Sequence, residues 1–223
     1  MLVIWAVLKV VHEMAHGIAC KRYGGTVSDA GVLLLLFTPM AFVNVTSSWR
    51  FSNRWHRIVV AAAGMYIELF ISFIAIIIWA RSSGGVMADV CYNIFIMSSV
   101  TTILFNANPL MRFDGYYILA DSLGIANMYT KGTKLFGDML RSWFFGVPRT
   151  PNLCPPHEKR VALAYGILAF FWKITISLSL IIGASVLFHG LGKLLGIIGV
   201  FMFFGMPIMQ PVSYTHLTLP TKA

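Results

Sequence analysis

Long apolar stretches alternate with short polar segments along the chain. A helix needs about 20 mainly apolar residues to cross the hydrocarbon core of a bilayer. This requirement predicts about five transmembrane helices, at residues 2–20, 58–80, 86–107, 161–188 and 191–211. We therefore expect an all-α polytopic membrane protein.

The segment 31–45 departs from this pattern. It is apolar but shorter than a span, Pro39 interrupts it, and it ends in β-forming and polar residues. Such a pattern favours a re-entrant or interfacial segment with β character over a crossing helix. Irregular backbone at membrane depth is tolerated only beside protein or a water-filled cavity. An edge strand next to an active-site cavity would satisfy that condition.

Composition and charge support a membrane location. Charged residues make up 11% of the chain, whereas soluble domains carry about 25%. The net charge of +9 comes from basic residues at the ends of apolar stretches, so it indicates positive-inside topology and no nucleic-acid partner. Lys21 and Arg22 assign the end of the first helix to the cytoplasm. The three cysteines are widely spaced, which argues against a disulfide framework or a cysteine metal site.

A metal-binding motif lies inside the first apolar stretch. His12, Glu13 and His16 form the pattern H-E-x-x-H. Residues four apart share one face of a helix, so the two imidazoles can hold one metal ion together. Glu13, beside them, is suited to accept a proton, although it could also be a bystander.

The third ligand has to come from another part of the chain, because a catalytic zinc site uses three protein ligands and leaves one position open. The third apolar stretch ends at Asn108-Pro109 and is followed by Asp114 at the depth of His16. Asp114 is therefore the best candidate. The alternative is that Asp114 and Gly115 only form a turn.

Two further polar residues lie within apolar stretches. Glu68 is an intramembrane acid, which is a functional-site hypothesis by default. Pairing with Lys9, or protonation, would explain it equally well. Asn106 suits a helix cap or an interhelical hydrogen bond as well as a substrate contact.

The strings HEMAHG at 12–17 and NPLMRFDG at 108–115 resemble the site-2 protease family of intramembrane zinc metalloproteases. The longer string at 105–117 is similar to a bacterial branch of peptide zinc metalloproteases that accompany membrane-fusion export adaptors. The sequence departs from the family pattern at Met111, where a second proline is usual, and at Glu68, where asparagine is usual.

The resemblance implies a set of residue roles. The zinc ion (Zn2+) would be held by His12, His16 and Asp114, with Glu13 as general base and Asn108 lining the site to hold the substrate strand. The site would face the cytoplasmic side of a bacterial inner membrane.

The function expected from these residues is zinc-dependent hydrolysis of peptide bonds in or near the membrane. The partners would be the lipid bilayer, a membrane-embedded or membrane-proximal peptide and a membrane-fusion export adaptor. The alternative is a non-proteolytic, zinc-containing membrane partner of an export system. A secondary transporter is disfavoured because the sequence shows neither inverted repeats nor paired broken helices.

The chain is expected to have four parts. Residues 1–125 form the protease core, in which the first three helices build the zinc site. Residues 126–160 form a cytoplasmic loop, and 161–211 a pair of transmembrane helices. Residues 212–223 resemble a translated sequencing-library adaptor, so we expect them to be foreign and the gene to continue past Pro211.

Overall fold

The structure is a computed structural model that describes residues 1–35, 38–146 and 155–187. It is mostly helical, with one small two-stranded sheet. In chain order the elements are α1 (Leu2–Arg22), β1 (Ala30–Leu35), β2 (Thr38–Val43), a 3₁₀ helix (Thr46–Arg50), α2 (Arg54–Arg81), α3 (Val86–Val100) with a π-helical continuation (Thr101–Asn106), α4 (Asp114–Leu123), α5 (Met128–Phe145) and α6 (Pro156–Leu187). The chain divides into two compact units, Met1–Gly166 and Ile167–Ala223.

Among the described residues, four helical segments are long and apolar enough to cross a membrane. They are Leu2–Arg22, Arg54–Arg81, Val86–Asn106 and Pro156–Gly183. These segments match the first four predicted spans and confirm a polytopic helical membrane fold. The fifth predicted span, 191–211, and the predicted adaptor tail, 212–223, lie outside the described residues.

Helix packing in the first unit follows a four-residue spacing. The buried positions of α1 include Leu8, His12, His16 and Cys20, and those of α2 include Val60, Gly64, Glu68 and Ser72. Residues at this spacing share one face of a helix. Helix α2 packs against both α1 and α3. Small and polar side chains suit such contacts, because lipid provides no hydrophobic force between helices. The packing therefore gathers polar groups between the helices.

The predicted β segment folds as a hairpin. β1 and β2 are antiparallel, with Ala30 opposite Val43 and Leu35 opposite Thr38. Pro39 is tolerated because β2 is an edge strand, where a missing N–H costs no ladder bond. The end of β2 lies against α1, since a Cβ added at Gly17 would lie 3.1 Å from Cγ1 of Val43. This contact brings β2 next to the histidine motif.

The polar connection after α3 is largely helical. Helix α4 is tied to the start of α2 by an ion pair in which Nε of Arg57 lies 2.7 Å from Oδ1 of Asp121. Helix α5 occupies much of the predicted loop 126–160 and crosses the first turns of α6 closely. A Cβ added at Gly132 would collide with the carbonyl oxygen of Ala162.

This close crossing predicts that Gly132→Ala lowers the thermal stability of the protein in detergent. Overpacking of this kind costs about 1–3 kcal/mol. The matched control is Gly137→Ala in the same helix, where an added Cβ meets nothing within 4 Å. That variant should gain up to about 1 kcal/mol from helix propensity. Equal melting temperatures for the two variants would contradict the crossing.

Candidate metal centre

His12 and His16 project from the buried face of α1 toward a common point. Their Nε2 atoms are 3.1 Å apart. The other ring nitrogens point away from that point: Nδ1 of His16 lies 2.7 Å from the carbonyl oxygen of Val60, and Nδ1 of His12 lies 3.3 Å from Oε1 of Glu68. Helix α2 therefore orients the imidazole of His16 through the Val60 carbonyl, and both rings present Nε2 to the common point.

Asp114 completes a three-residue cluster at the same point. Its Oδ2 lies 3.1 Å from Nε2 of His12 and 3.5 Å from Nε2 of His16. The three ligand atoms lie within 4.8 Å of one another. Zinc with bonds of about 2.0–2.1 Å in a tetrahedral site separates neighbouring ligand atoms by about 3.3 Å. The spacing of the three side chains fits that requirement.

Gly64 keeps the space in front of the imidazoles open. A Cβ built at this position would lie 2.5 Å from Nε2 of both His12 and His16. Gly64 is on the buried face of α2, between Val60 and Glu68. The absence of a side chain there leaves room beside the two nitrogens, as a metal site requires.

The loop that carries Asp114 is fixed by local hydrogen bonds. Oδ1 of Asn108 accepts from the backbone N–H of Leu110 at 2.9 Å, and the hydroxyl of Tyr165 donates to the carbonyl of Pro109 at 3.0 Å. Met111, where the family has proline, accepts from the N–H of Phe113 at 2.8 Å. Gly115 then packs so closely on the preceding helix that a Cβ would collide with the carbonyl of Ala107.

The Asp114 carboxyl is held in its ionised form. Burial alone would raise its pKa, but hydrogen bonds from His12 and His16 and the charge of their rings outweigh burial and lower the pKa to about 2. An anionic oxygen is therefore available as a ligand at neutral pH.

Glu13 lies beside the cluster on the next position of α1. It is half-buried, and its Oε2 accepts a hydrogen bond of 3.2 Å from the backbone N–H of Val43 at the end of β2. It lines a cavity of about 630 Å³, whose walls also include His16, Asn44, Trp49, Arg57, Asp114 and Tyr117. The Glu13 carboxyl group and two members of the cluster thus share one cavity.

The remaining candidate residues have defined contacts. Nδ2 of Asn106 donates to Oε2 of Glu68 at 3.2 Å, which is the interhelical alternative, and Glu68 also pairs with Lys9 at 2.7 Å. Asn108 is engaged through its side-chain oxygen in the turn described above. The contacts of Asn106 and Asn108 do not test a role in substrate binding.

Sequence reasoning missed three contributors: the carbonyl of Val60, the open space at Gly64 and the N–H of Val43. The four-residue spacing of Val60, Gly64 and Glu68 was a usable signal for the first two. The backbone donor of Val43 has no signal in the sequence, because any residue but proline carries one.

Comparison with known proteins places the chain in a family. The family model for peptidase family M50 matches residues 1–185. The chain is similar to an uncharacterized protein from Methanocaldococcus jannaschii, with 40% identity over 62 residues, or 27% of this chain and 17% of that protein. The match therefore spans less than a fifth of the length of that relative. No solved structure matches. With more than three quarters of its length matched, the chain belongs to peptidase family M50, the site-2 protease family.

Proposed function

We propose that this protein is a zinc-dependent intramembrane endopeptidase that hydrolyses peptide bonds in or near the membrane. The observation that carries the proposal is the convergence of His12, His16 and Asp114 at one point, while Glu13 lines the same cavity. Membership of peptidase family M50 supports the same chemistry.

The residues divide the work of hydrolysis among them. His12, His16 and Asp114 would hold zinc, which when bound would activate a water and polarise the scissile carbonyl. Glu13 accepts a proton from the attacking water as its oxygen bonds to the carbonyl carbon. Glu13 then delivers that proton to the amide nitrogen as the C–N bond breaks. The two products are a carboxylic acid and an amine, and Glu13 is again a carboxylate.

The hairpin supplies a docking edge for the substrate. A transmembrane helix hides its amide groups in its own hydrogen bonds, so it has to unwind before hydrolysis. In an antiparallel strand the N–H and C=O of one residue point the same way, and outward-facing residues alternate. Val43, bonded to Glu13, therefore shares its edge with Ala41. We assign this edge to β-addition of the unwound substrate strand, with Asn108 as a further contact through its amide nitrogen.

The location follows from the charge pattern. Lys21 and Arg22 occupy the last turn of α1, close to His16. We infer that this end of α1 is cytoplasmic and that the metal centre faces the cytoplasmic side of a bacterial inner membrane. A membrane-fusion export adaptor is the partner that we propose for the bacterial branch.

Removal of one ligand should abolish metal binding. Asp114→Ala is expected to lose the zinc that co-purifies with the wild-type protein, because two imidazoles alone leave the site one ligand short. The measurement is elemental analysis of protein purified in detergent. Asp89→Ala, which removes an exposed acid from the first turn of α3, is the matched control. Equal zinc content in Asp114→Ala and the control would exclude Asp114 as a ligand.

A methyl group at position 64 should also weaken metal binding, because it would extend from α2 toward the two histidines of α1. Because the atoms in its way are the ends of flexible side chains, Gly64→Ala is expected to fold while the two imidazoles shift. Zinc affinity should fall about 10- to 100-fold, as it does when support around a metal is lost. Competition with a chelator measures this, with Gly137→Ala as control. Wild-type affinity in Gly64→Ala would mean that metal does not bind between these nitrogens.

Glu13→Gln tests the reaction itself. The amide cannot accept the proton, so cleavage should slow at least about 100-fold while zinc content stays unchanged. Mass spectrometry of membranes from cells that express wild type, Glu13→Gln or empty vector identifies new peptide termini. Termini that are equally abundant in both variants would exclude Glu13 as the base. If wild type matches the empty vector, the non-proteolytic alternative holds instead.

A further inference from the structure

Glu68 is the most deeply buried charged residue that the hydrolytic scheme does not use. It lies near the middle of α2 with a solvent-exposed fraction of 0%. A carboxylate in that position is costly unless other groups compensate its charge and satisfy its oxygens. The contacts of the Glu68 carboxylate therefore indicate its role.

Both oxygens of Glu68 are engaged, and they have different partners. Oε2 accepts from the hydroxyl of Thr102 and from Nδ2 of Asn106 at 3.2 Å. Both donors belong to the π-helical end of the third span. Oε1 lies 2.7 Å from Nζ of Lys9 and 3.3 Å from Nδ1 of His12, both on α1. The π-helical segment thus holds one oxygen and thereby aims the other at α1.

The Nδ1 atom of His12 lacks the kind of hydrogen bond that Nδ1 of His16 makes. Nδ1 of His16 is bonded to the Val60 carbonyl at 2.7 Å, whereas Nδ1 of His12 is buried and has no aligned hydrogen bond in the part of the chain that is described. A buried ring nitrogen without a partner is rare and calls for an explanation. The acceptor that an N–H on Nδ1 can reach is Oε1 of Glu68, after a small rotation of the ring.

We propose that Glu68 is a positioning residue for His12, and this proposal rests on the metal site proposed above. The carboxylate accepts the N–H on Nδ1 of His12 when metal binds. That bond fixes the tautomer in which Nε2 carries no hydrogen and can bind the metal through its lone pair. The same bond makes Nε2 a stronger ligand. The asparagine usual at this position in the family is neutral, so the family pattern does not carry this role.

Lys9 makes the arrangement tolerable inside a membrane. Its side chain is largely buried, with 17% exposed, and it forms a neutral pair with Glu68. An unpaired acid at this depth would be unfavourable, and ionisable residues within membrane spans are usually paired. Lys9 therefore offsets the charge of Glu68, whereas Glu68 is the one of the pair that lies close to His12, the proposed metal ligand.

The test is zinc affinity of the full chain in detergent, measured by competition with a chelator. Glu68→Gln should weaken zinc binding about 10- to 100-fold, the usual effect of removing such a partner of a ligand. The visible absorption spectrum of the cobalt-substituted protein should shift with it. Ser72→Ala is the control. It lies one turn along the same buried face, and its hydroxyl bonds Ser99 at 2.7 Å, away from the histidines.

The double variant Lys9→Met/Glu68→Gln separates positioning from charge balance, and it leaves no unpaired charge should Glu68→Gln alone fail to fold. Its zinc affinity should stay as low as expected for Glu68→Gln. Wild-type affinity in the double variant, or in folded Glu68→Gln, would overturn the proposal and leave Glu68 as a counter-ion of Lys9. Failure of the wild-type protein to bind zinc would instead overturn the metal site itself.

Discussion

The absence of water between membrane-spanning helices is the constraint on which this structure depends. Every polar group buried there has to find its partner in the protein. Apart from Nδ1 of His12, the buried polar side chains on the four-residue stripes of α1 and α2 meet this requirement with one connected set of contacts. Lys9 forms an ion pair with one carboxylate oxygen of Glu68, and Asn106 of the π-helical segment donates a hydrogen bond to the other. The Val60 carbonyl is bonded to Nδ1 of His16. The same contacts that make the helix interface stable also orient the imidazoles.

The candidate metal centre lies where this helical interface meets the more irregular parts of the chain. The two histidines come from a rigid helix, whereas Asp114 comes from a loop held by side-chain and backbone hydrogen bonds. Glycines at 17, 64 and 115 have no part in the chemistry. They allow the hairpin, the imidazoles and the end of the third span to approach their neighbours closely.

Much of the fold and the principal cluster could be predicted from the sequence. The spans follow from apolar length, and the histidine pair follows from its spacing on one helix. The prediction of Asp114 required only the further argument that the third span ends near the membrane depth of His16. The segment 31–45 could be predicted only as having β character, because a largely apolar stretch lacks the alternation of polar and apolar residues that sets a strand register. The choice between the two readings of Glu68 could not be made, since one sequence does not show which helix faces it.

The hydrogen bond between the Val43 N–H and Glu13 would link the proposed docking of substrate to the contacts of the proposed base. One amide hydrogen serves one strong acceptor well, so a peptide carbonyl that pairs with Val43 has to displace the carboxylate oxygen that now occupies it. Docking of a strand at this edge would therefore change the hydrogen bonding of Glu13 directly.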